Sequence, residues 1–385
     1  MIAADSPWLT ALPPFLVASA VCMVAVPGSM WLARRTGAVA EPDGARHLHR
    51  QATPRLGGIA MFAGFAVAIA IFGSSIDDRW QVLAVTAAIT VAMAIDDILD
   101  LSWRSKLGIE IGVGVLAVLL GITITTIAVP GAHSPSVIDL MWLSAPVTVV
   151  WLVGMQVSVN LLDGADGVAA GVIAIVAAVC LLAAISRIGP PDHEAQIQTG
   201  VVILSGAVMG CCLGFLVFNL PPARVFMGDS GSHFLGVVLA LITILGVAKV
   251  VVGLSILVPL IALGLPIGDT LFAIVRRTLA GRNPAAPDAG HLHHRLRAVG
   301  MTPLETAVTF YLVTAILGCL ALTIYGHHTI IFIALGLLVV SLIGLVWRNR
   351  RRTPRLPFVA AEESEVQVEG RRTRPSHIHH TGEPD

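Results

Sequence analysis

Five polar islands interrupt an otherwise apolar chain, and each carries groups able to do chemistry. The first to consider is Arg224-Val-Phe-Met-Gly-Asp-Ser-Gly-Ser232, in which Asp229 stands between Gly228 and Gly231. Glycines on both sides let the backbone come close to a bound anion and its metal. Apolar residues flank the stretch, which places Asp229 at a membrane edge, where a carboxylate is costly and is a functional candidate by default. A solvated turn between two spans would need no more than a lone Asp-Gly. In Asp96-Asp97-Ile-Leu-Asp100, a helix sets Asp96 and Asp100 four apart on one face, with Asp97 three from Asp100. Three like charges this close call for a divalent cation or a shared proton. In Asn160-Leu-Leu-Asp163-Gly-Ala-Asp166-Gly167, two Asp-Gly turns come without a compensating cation. Oxygen-only ligands of this kind suit Mg²⁺, which shares its shell with water and substrate phosphates.

Cations and histidines make up the complementary set. Arg46, His47, His49, Arg50 and Arg55 precede Gly57-Gly58 at the start of an apolar run. Cations ahead of a helix N-terminus form a phosphate site. Arg104 and Lys106 follow the aspartate cluster, able to balance its charge or to bind a substrate phosphate. The loop Arg276–Pro303 holds His291, His293, His294 and Arg295. No cysteine or nearby carboxylate completes a zinc set with these histidines, and beside Arg295 and Arg297 they fit a diphosphate or nucleotide better. Asp269, inside another apolar run, is a further costly charge.

The elements that must position these groups are membrane spans. Hydrophobic residues make up 56% of the 385, and charged ones 12%, about half the usual share for a soluble domain; the mean hydropathy is +0.84. The chain reads as an all-α polytopic membrane protein. A ruler of about 20 apolar residues gives eleven candidate spans, with ten also allowed: 12–33, 57–73, 82–95, 107–129, 137–159, 168–186, 198–218, 232–247, 252–275, 306–325 and 329–347. With the N-terminus outside, 21 of the 24 Lys and Arg fall on the inner side, and only Arg79, Arg187 and Lys249 outside. That asymmetry predicts a cytoplasmic C-terminus and puts every polar island on the cytoplasmic face. Residues 1–347 form the expected catalytic domain and 348–385 a basic, polar, disordered tail. The five cysteines all lie in apolar runs, without redox or metal spacing, and read as small buried hydrophobes.

Carboxylates and cations gathered on one face, at membrane depth, favour a metal-assisted reaction between a soluble phosphorylated substrate and a lipid. Transport remains the alternative from another class. It asks for charges near the bilayer midplane, where Asp269 is nearly alone.

In order along the chain, Thr53-Pro-Arg-Leu-Gly-Gly58, Asp96-Asp-x-x-Asp100, Asn160-x-x-Asp-Gly-x-Asp-Gly167, Phe226-Met-Gly-Asp-Ser-Gly-Ser232 and His291-Leu-His-His-Arg-Leu296 resemble the polyprenyl-phosphate N-acetylhexosamine-1-phosphate transferases. The wording of the histidine motif is similar to the bacterial branch that uses UDP-N-acetylglucosamine. The resemblance implies transfer of a sugar 1-phosphate from a UDP-sugar to undecaprenyl or decaprenyl phosphate at the bacterial plasma membrane, with release of UMP. It implies Mg²⁺, with Mn²⁺ as a substitute. The expected partners are the UDP-sugar and the lipid phosphate, with a homodimer allowed and no nucleic acid. By resemblance, Asp96, Asp97 and Asp100 are catalytic, the first two as metal ligand or base. Asp229, Asp97 and Asp163 match metal ligands. Asn160, Asp163, Asp166, His291, His293, His294 and Arg295 match substrate-binding positions, to which Arg46, His49, Arg55, Lys106 and Asp269 are added. The chain departs from the family pattern at His47, Ala52, Val157 and Asn283-Pro284-Ala285, which touches sugar and nucleotide preference rather than the metal residues. The alternatives are the same reaction on UDP-N-acetylmuramoyl-pentapeptide or another UDP-sugar, and a non-catalytic binder.

Overall fold

The computed structural model describes residues 7–40, 52–129, 136–188, 192–247, 264–279, 292–324 and 327–351. The chain divides into a compact unit through Leu338 and a second unit from Val339 to Asp385. In the first unit, α1 (Pro7–Thr36) ends on Arg34 and Arg35, and a short hairpin of β1 (Val39–Ala40) and β2 (Thr53–Pro54) leads to α2 (Gly57–Phe72). The helices α3 (Arg79–Leu99), α4 (Trp103–Leu119), α5 (Ser144–Leu162), α6 (Val168–Ile185), α7 (His193–Asn219) and α8 (Gly228–Val247) follow. A second hairpin, β3 (Thr126–Val129) with β4 (Ser136–Asp139), joins α4 to α5. Then come α9 (Gly264–Leu279), the short α10 (Leu292–Ala298) and α11 (Pro303–Ile324). Helix α12 (Ile331–Arg351) begins in the first unit, and its later turns are the described part of the second.

Eight helices among the described residues are long and apolar enough to cross a membrane. Together they make a multi-pass membrane protein. The run expected to span 107–129 is corrected: its helix stops at Leu119, and residues 126–129 pair in the β3–β4 hairpin. Gly121 takes φ 87°, a left-handed conformation suited to glycine, and the β-branched residues Ile122 to Ile127 then favour strand. The expected run 252–275 lies partly outside the described residues. At the eleventh, the apolar stretch is the shorter His328–Ser341.

Small residues let the helices approach closely. Gly206, Gly210 and Gly214 recur every four residues on α7 and face Ala11, Phe15, Ala18 and Ser19 of α1. A Cβ on any of the three would press into an α1 carbonyl oxygen, which is the small-xxx-small packing of membrane helices. Exposed tryptophans mark helix ends at two levels. Trp8 and Trp80 open α1 and α3, while Trp31 lies near the close of α1 and Trp103 opens α4. Such amphipathic rings belong at the two membrane interfaces.

The packing makes a graded expectation. Gly210→Val should lower the thermal midpoint of detergent-purified protein clearly, since overpacking costs about 1–3 kcal/mol. Gly112→Val, where an added Cβ meets nothing within 4 Å, should leave that midpoint nearly unchanged.

Candidate active site

Two segments distant in sequence lie side by side at the centre of the site. The Phe226 amide donates to the Pro54 carbonyl at 2.8 Å, and the Gly57 and Gly58 amides donate to the Phe226 and Met227 carbonyls at 3.0 and 2.9 Å. Just beyond, α2 and α8 start against each other where Gly58 meets Gly231, with no room for a Cβ on Gly58. The first two amides of α2 are thus used within the protein. The phosphate site expected at this helix start is not built from them.

Asp97 supplies the anion at the other helix start. Its Oδ1 accepts from the Asp229 amide at 2.9 Å and its Oδ2 from the Ser230 amide at 3.0 Å. The side chain, buried near the end of α3, therefore caps the N-terminus of α8, where unpaired amides and the helix dipole favour negative charge. Gly228, at φ 69°, is pressed against the Arg55 carbonyl and the Asp97 carboxylate, so this position suits only glycine.

Lys106 joins three helices. Its Nζ lies 2.8 Å from Asp96 Oδ2 on α3 and 2.7 Å from Asp229 Oδ2 on α8. The other oxygen of Asp229 accepts from Asn160 Nδ2 on α5 at 3.1 Å, and the same amide nitrogen reaches Ser232 Oγ at 3.1 Å. Asp96 Oδ1 accepts from the Leu101 amide at 2.9 Å. Asp96 is buried, while Asp100 is exposed and closes α3 in a left-handed conformation. The three aspartates expected to crowd one helix face are therefore split. Asp96 and Asp97 turn to α8, and Asp100 stays in the turn because the helix ends at Leu99.

The Asp-Gly loop after α5 is tied down from behind. Asn219 Oδ1 accepts from the Gly167 amide at 3.0 Å, and its Nδ2 donates to the Val225 carbonyl at 2.8 Å. Asp166 Oδ2 accepts from the Ala223 amide at 3.1 Å, and Tyr311 donates its hydroxyl to the Gly167 carbonyl at 2.6 Å. The Asp163 carboxylate has no hydrogen-bond partner among the described residues. Burial, then the charges of Asp229, Asp97 and Asp166, hold it well above the ordinary carboxylate range. Arg55 donates from Nη2 to the Asp97 carbonyl at 3.1 Å, and its buried Nε has no partner among the described residues.

The structure thus gathers Arg55, Asp96, Asp97, Lys106, Asn160, Asp163 and Asp229, with Asp166 holding the loop beside them. His293, His294 and Arg295 ride on α10, where the Arg295 guanidinium lies 5.3 Å from the Phe272 ring centre of α9. Asp269 is on α9. Arg46, His49 and His291 lie outside the described residues. Sequence reasoning missed a buried pair beneath the site, Glu110 and His233, whose Oε1 and Nε2 are 2.9 Å apart. The signal was available: each is a solitary ionisable residue in an apolar run, four positions after Lys106 and Asp229 respectively.

A hard divalent cation fits this donor set. Asp163 sits among the negative charges of Asp229, Asp97 and Asp166, with no hydrogen-bond donor among the described residues. No group of three His, Cys, Asp or Glu among the described residues forms a ready-made cage. Asp163 and Asp229 could still lend one or two carboxylates to an ion that takes its other ligands from water and substrate phosphate, as Mg²⁺ commonly does.

Comparison with known proteins gives this geometry its class. Residues 79–247 match glycosyl transferase family 4. The chain is 35% identical to a probable undecaprenyl-phosphate N-acetylglucosaminyl 1-phosphate transferase of Bacillus subtilis, over 83% of this chain and 87% of that one. It is 33% identical to the decaprenyl-phosphate N-acetylglucosaminephosphotransferase of Mycolicibacterium smegmatis, over 73% and 74%. It is 32% identical to a phospho-N-acetylmuramoyl-pentapeptide-transferase of a Synechococcus species, over 74% and 82%. The chain belongs to glycosyl transferase family 4, as the ordered motifs led one to expect.

Asp97 and its two amides generate an expectation. In Asp97→Asn one oxygen still accepts, but the new amide group opposes a backbone N–H, at a cost of about 1–3 kcal/mol. Turnover and thermal midpoint should fall together, read by product formation and by unfolding of the purified protein.

Proposed function

We propose that the chain transfers a sugar 1-phosphate, most simply N-acetylglucosamine 1-phosphate, from a UDP-sugar to a polyprenyl phosphate. The observation that carries this reading is Asp229 held at the start of α8 by Lys106 and Asn160, in a chain whose relatives act on undecaprenyl or decaprenyl phosphate. An oxygen of the lipid phosphate attacks the sugar-bearing phosphorus. The bond from that phosphorus to the bridging oxygen breaks, and UMP leaves.

The chain's part in this reaction is placement and charge. Asp163 and Asp229 are the carboxylates that would hold Mg²⁺, which when bound neutralises charge on the diphosphate and orients it. Asp97, with both oxygens on backbone amides, acts as a positioning residue for Asp229. Asp96 holds Lys106, whose ammonium, with Arg55, lies close to where negative charge builds up. His291, His293, His294 and Arg295 are assigned to the sugar-nucleotide, and Arg46 and His49 to substrate binding. The site faces the cytoplasm of a bacterial plasma membrane, supported by the bias of Lys and Arg and by the two levels of exposed tryptophan.

The test is UMP release by purified protein given undecaprenyl or decaprenyl phosphate and a panel of donors that includes UDP-N-acetylglucosamine and UDP-N-acetylmuramoyl-pentapeptide. UMP should form with Mg²⁺ and stop with EDTA, and the productive donor names the sugar. Asp229→Asn should lower turnover at least about 100-fold, with only a modest fall in thermal midpoint because the ion pair it loses is partly exposed. Near-normal turnover in that variant would overturn the metal assignment. Orientation is checked separately in a background without the native cysteines. Trp142→Cys should react with an impermeant thiol reagent on intact cells, and Ser102→Cys only after the cells are opened.

A further inference from the structure

Glu110 and His233 are both buried, on α4 and α8, and neither is used in the mechanism above. The imidazole is held at both ends. Its Nδ1 lies 2.9 Å from the Asp229 carbonyl oxygen and its Nε2 lies 2.9 Å from Glu110 Oε1. A carbonyl oxygen can only accept, so Nδ1 carries a hydrogen. The remaining proton lies between Nε2 and Glu110, and the pair is neutral as a whole whichever atom holds it.

The place of this pair in the fold gives it meaning. Lys106 and Glu110 are four apart on α4, and Asp229 and His233 are four apart on α8, so each couple shares a helix face. Lys106–Asp229 and Glu110–His233 each join residues 123 apart in sequence. They are two successive rungs between helices running in parallel. The upper rung is half-exposed in the site and the lower is buried. The backbone of α4 packs chiefly on α3 and α5, so its register against α8 depends on long side chains that reach across.

We propose that Glu110 and His233 are positioning residues: a buried rung, one helical turn below the site, that sets where the Lys106 ammonium stands between Asp96 and Asp229. This rests on the transferase reading, in which that ammonium faces the reacting phosphates. The pair touches no substrate and acts through Lys106 and the Asp229 carbonyl.

The experiment compares wild type with Glu110→Leu, His233→Leu, the double Leu variant and Glu110→Gln. Losing one partner strands a buried polar group, so the single Leu variants should be unstable, whereas replacing both leaves nothing unpaired and should return the thermal midpoint close to wild type. In the double Leu variant, kcat for UMP release should stay about tenfold or more below wild type with KM for both substrates little changed, the pattern of a lost transition-state contact. Glu110→Gln should keep most of kcat, because the Gln amide can donate to Nε2 while Nδ1–H stays on the Asp229 carbonyl. A second readout is independent of turnover. Lys106 and Lys249 are the two lysines of the chain, so acylation of Lys106 can be followed by peptide mass, and it should quicken several-fold in the double Leu variant. A double Leu variant with wild-type kcat or unchanged Lys106 acylation would overturn the proposal, as would Glu110→Gln slowed as much as Glu110→Leu. A wild-type protein that releases no UMP would instead overturn the transferase reading, and Lys106 acylation would still decide the role of the pair.

Discussion

Carboxylates at the edge of a membrane must be matched by donors or cations, and the way this chain matches them organises the site. Asp97 is stabilised by two amides at the start of α8, and Asp96 and Asp229 share the Lys106 ammonium. In a medium less polar than water, an unmatched carboxylate would be costly. Each pairing therefore fixes a helix. The Asp97 cap holds α3 to α8, Lys106 holds α4 to both, and Asn160 brings in α5. Four helices meet through side chains whose own charge demands the meeting.

Glycine makes the arrangement sterically available. Asp97 can reach two consecutive amides only if the turn into α8 is tight and bare, and Gly228 provides both its left-handed backbone and its missing Cβ. The same holds where Gly58 meets Gly231, which lets the residues after Pro54 run along Phe226 and Met227. The motifs on either side of these glycines are therefore one structural unit. Arg55 arrives beside Asp97 because its neighbours are hydrogen-bonded to the stretch that carries Asp229.

Much of this was legible in the sequence. Apolar runs of span length gave the helices, and polar islands between them gave the residues that converge, because a charge in such a chain must sit where something answers it. What the sequence did not reveal was partner choice. Spacing in Asp-Asp-x-x-Asp suggested three carboxylates on one helix face, but it did not show that α3 ends at Leu99 and leaves Asp100 exposed in the turn. The glycines around Asp229 suggested amides open to a ligand, and two of those amides belong to Asp97. The β3–β4 hairpin was hidden for a related reason. Its residues are as apolar as a span, and only the β-branched run after Gly121 separates strand from helix.

The division of labour among the carboxylates follows from these pairings. A group whose oxygens are both committed to amides, as in Asp97, gives rigidity, and displacing either amide would undo the start of α8. A group with no hydrogen-bond partner among the described residues, as in Asp163, would have its oxygens available to a cation, and its proton affinity is raised by burial and by the charges of Asp229, Asp97 and Asp166. Asp229 lies between these extremes. Both its oxygens are engaged, but by side chains that can swing, Lys106 and Asn160, rather than by backbone. A cation drawn to Asp163 would compete with the Lys106 ammonium for Asp229, and the displaced ammonium would remain within reach of a phosphate at the same place. On this argument the Lys106 ammonium, held between Asp96 and Asp229, would serve both the stability of the site and, with Arg55, the neutralisation of phosphates bound beside it.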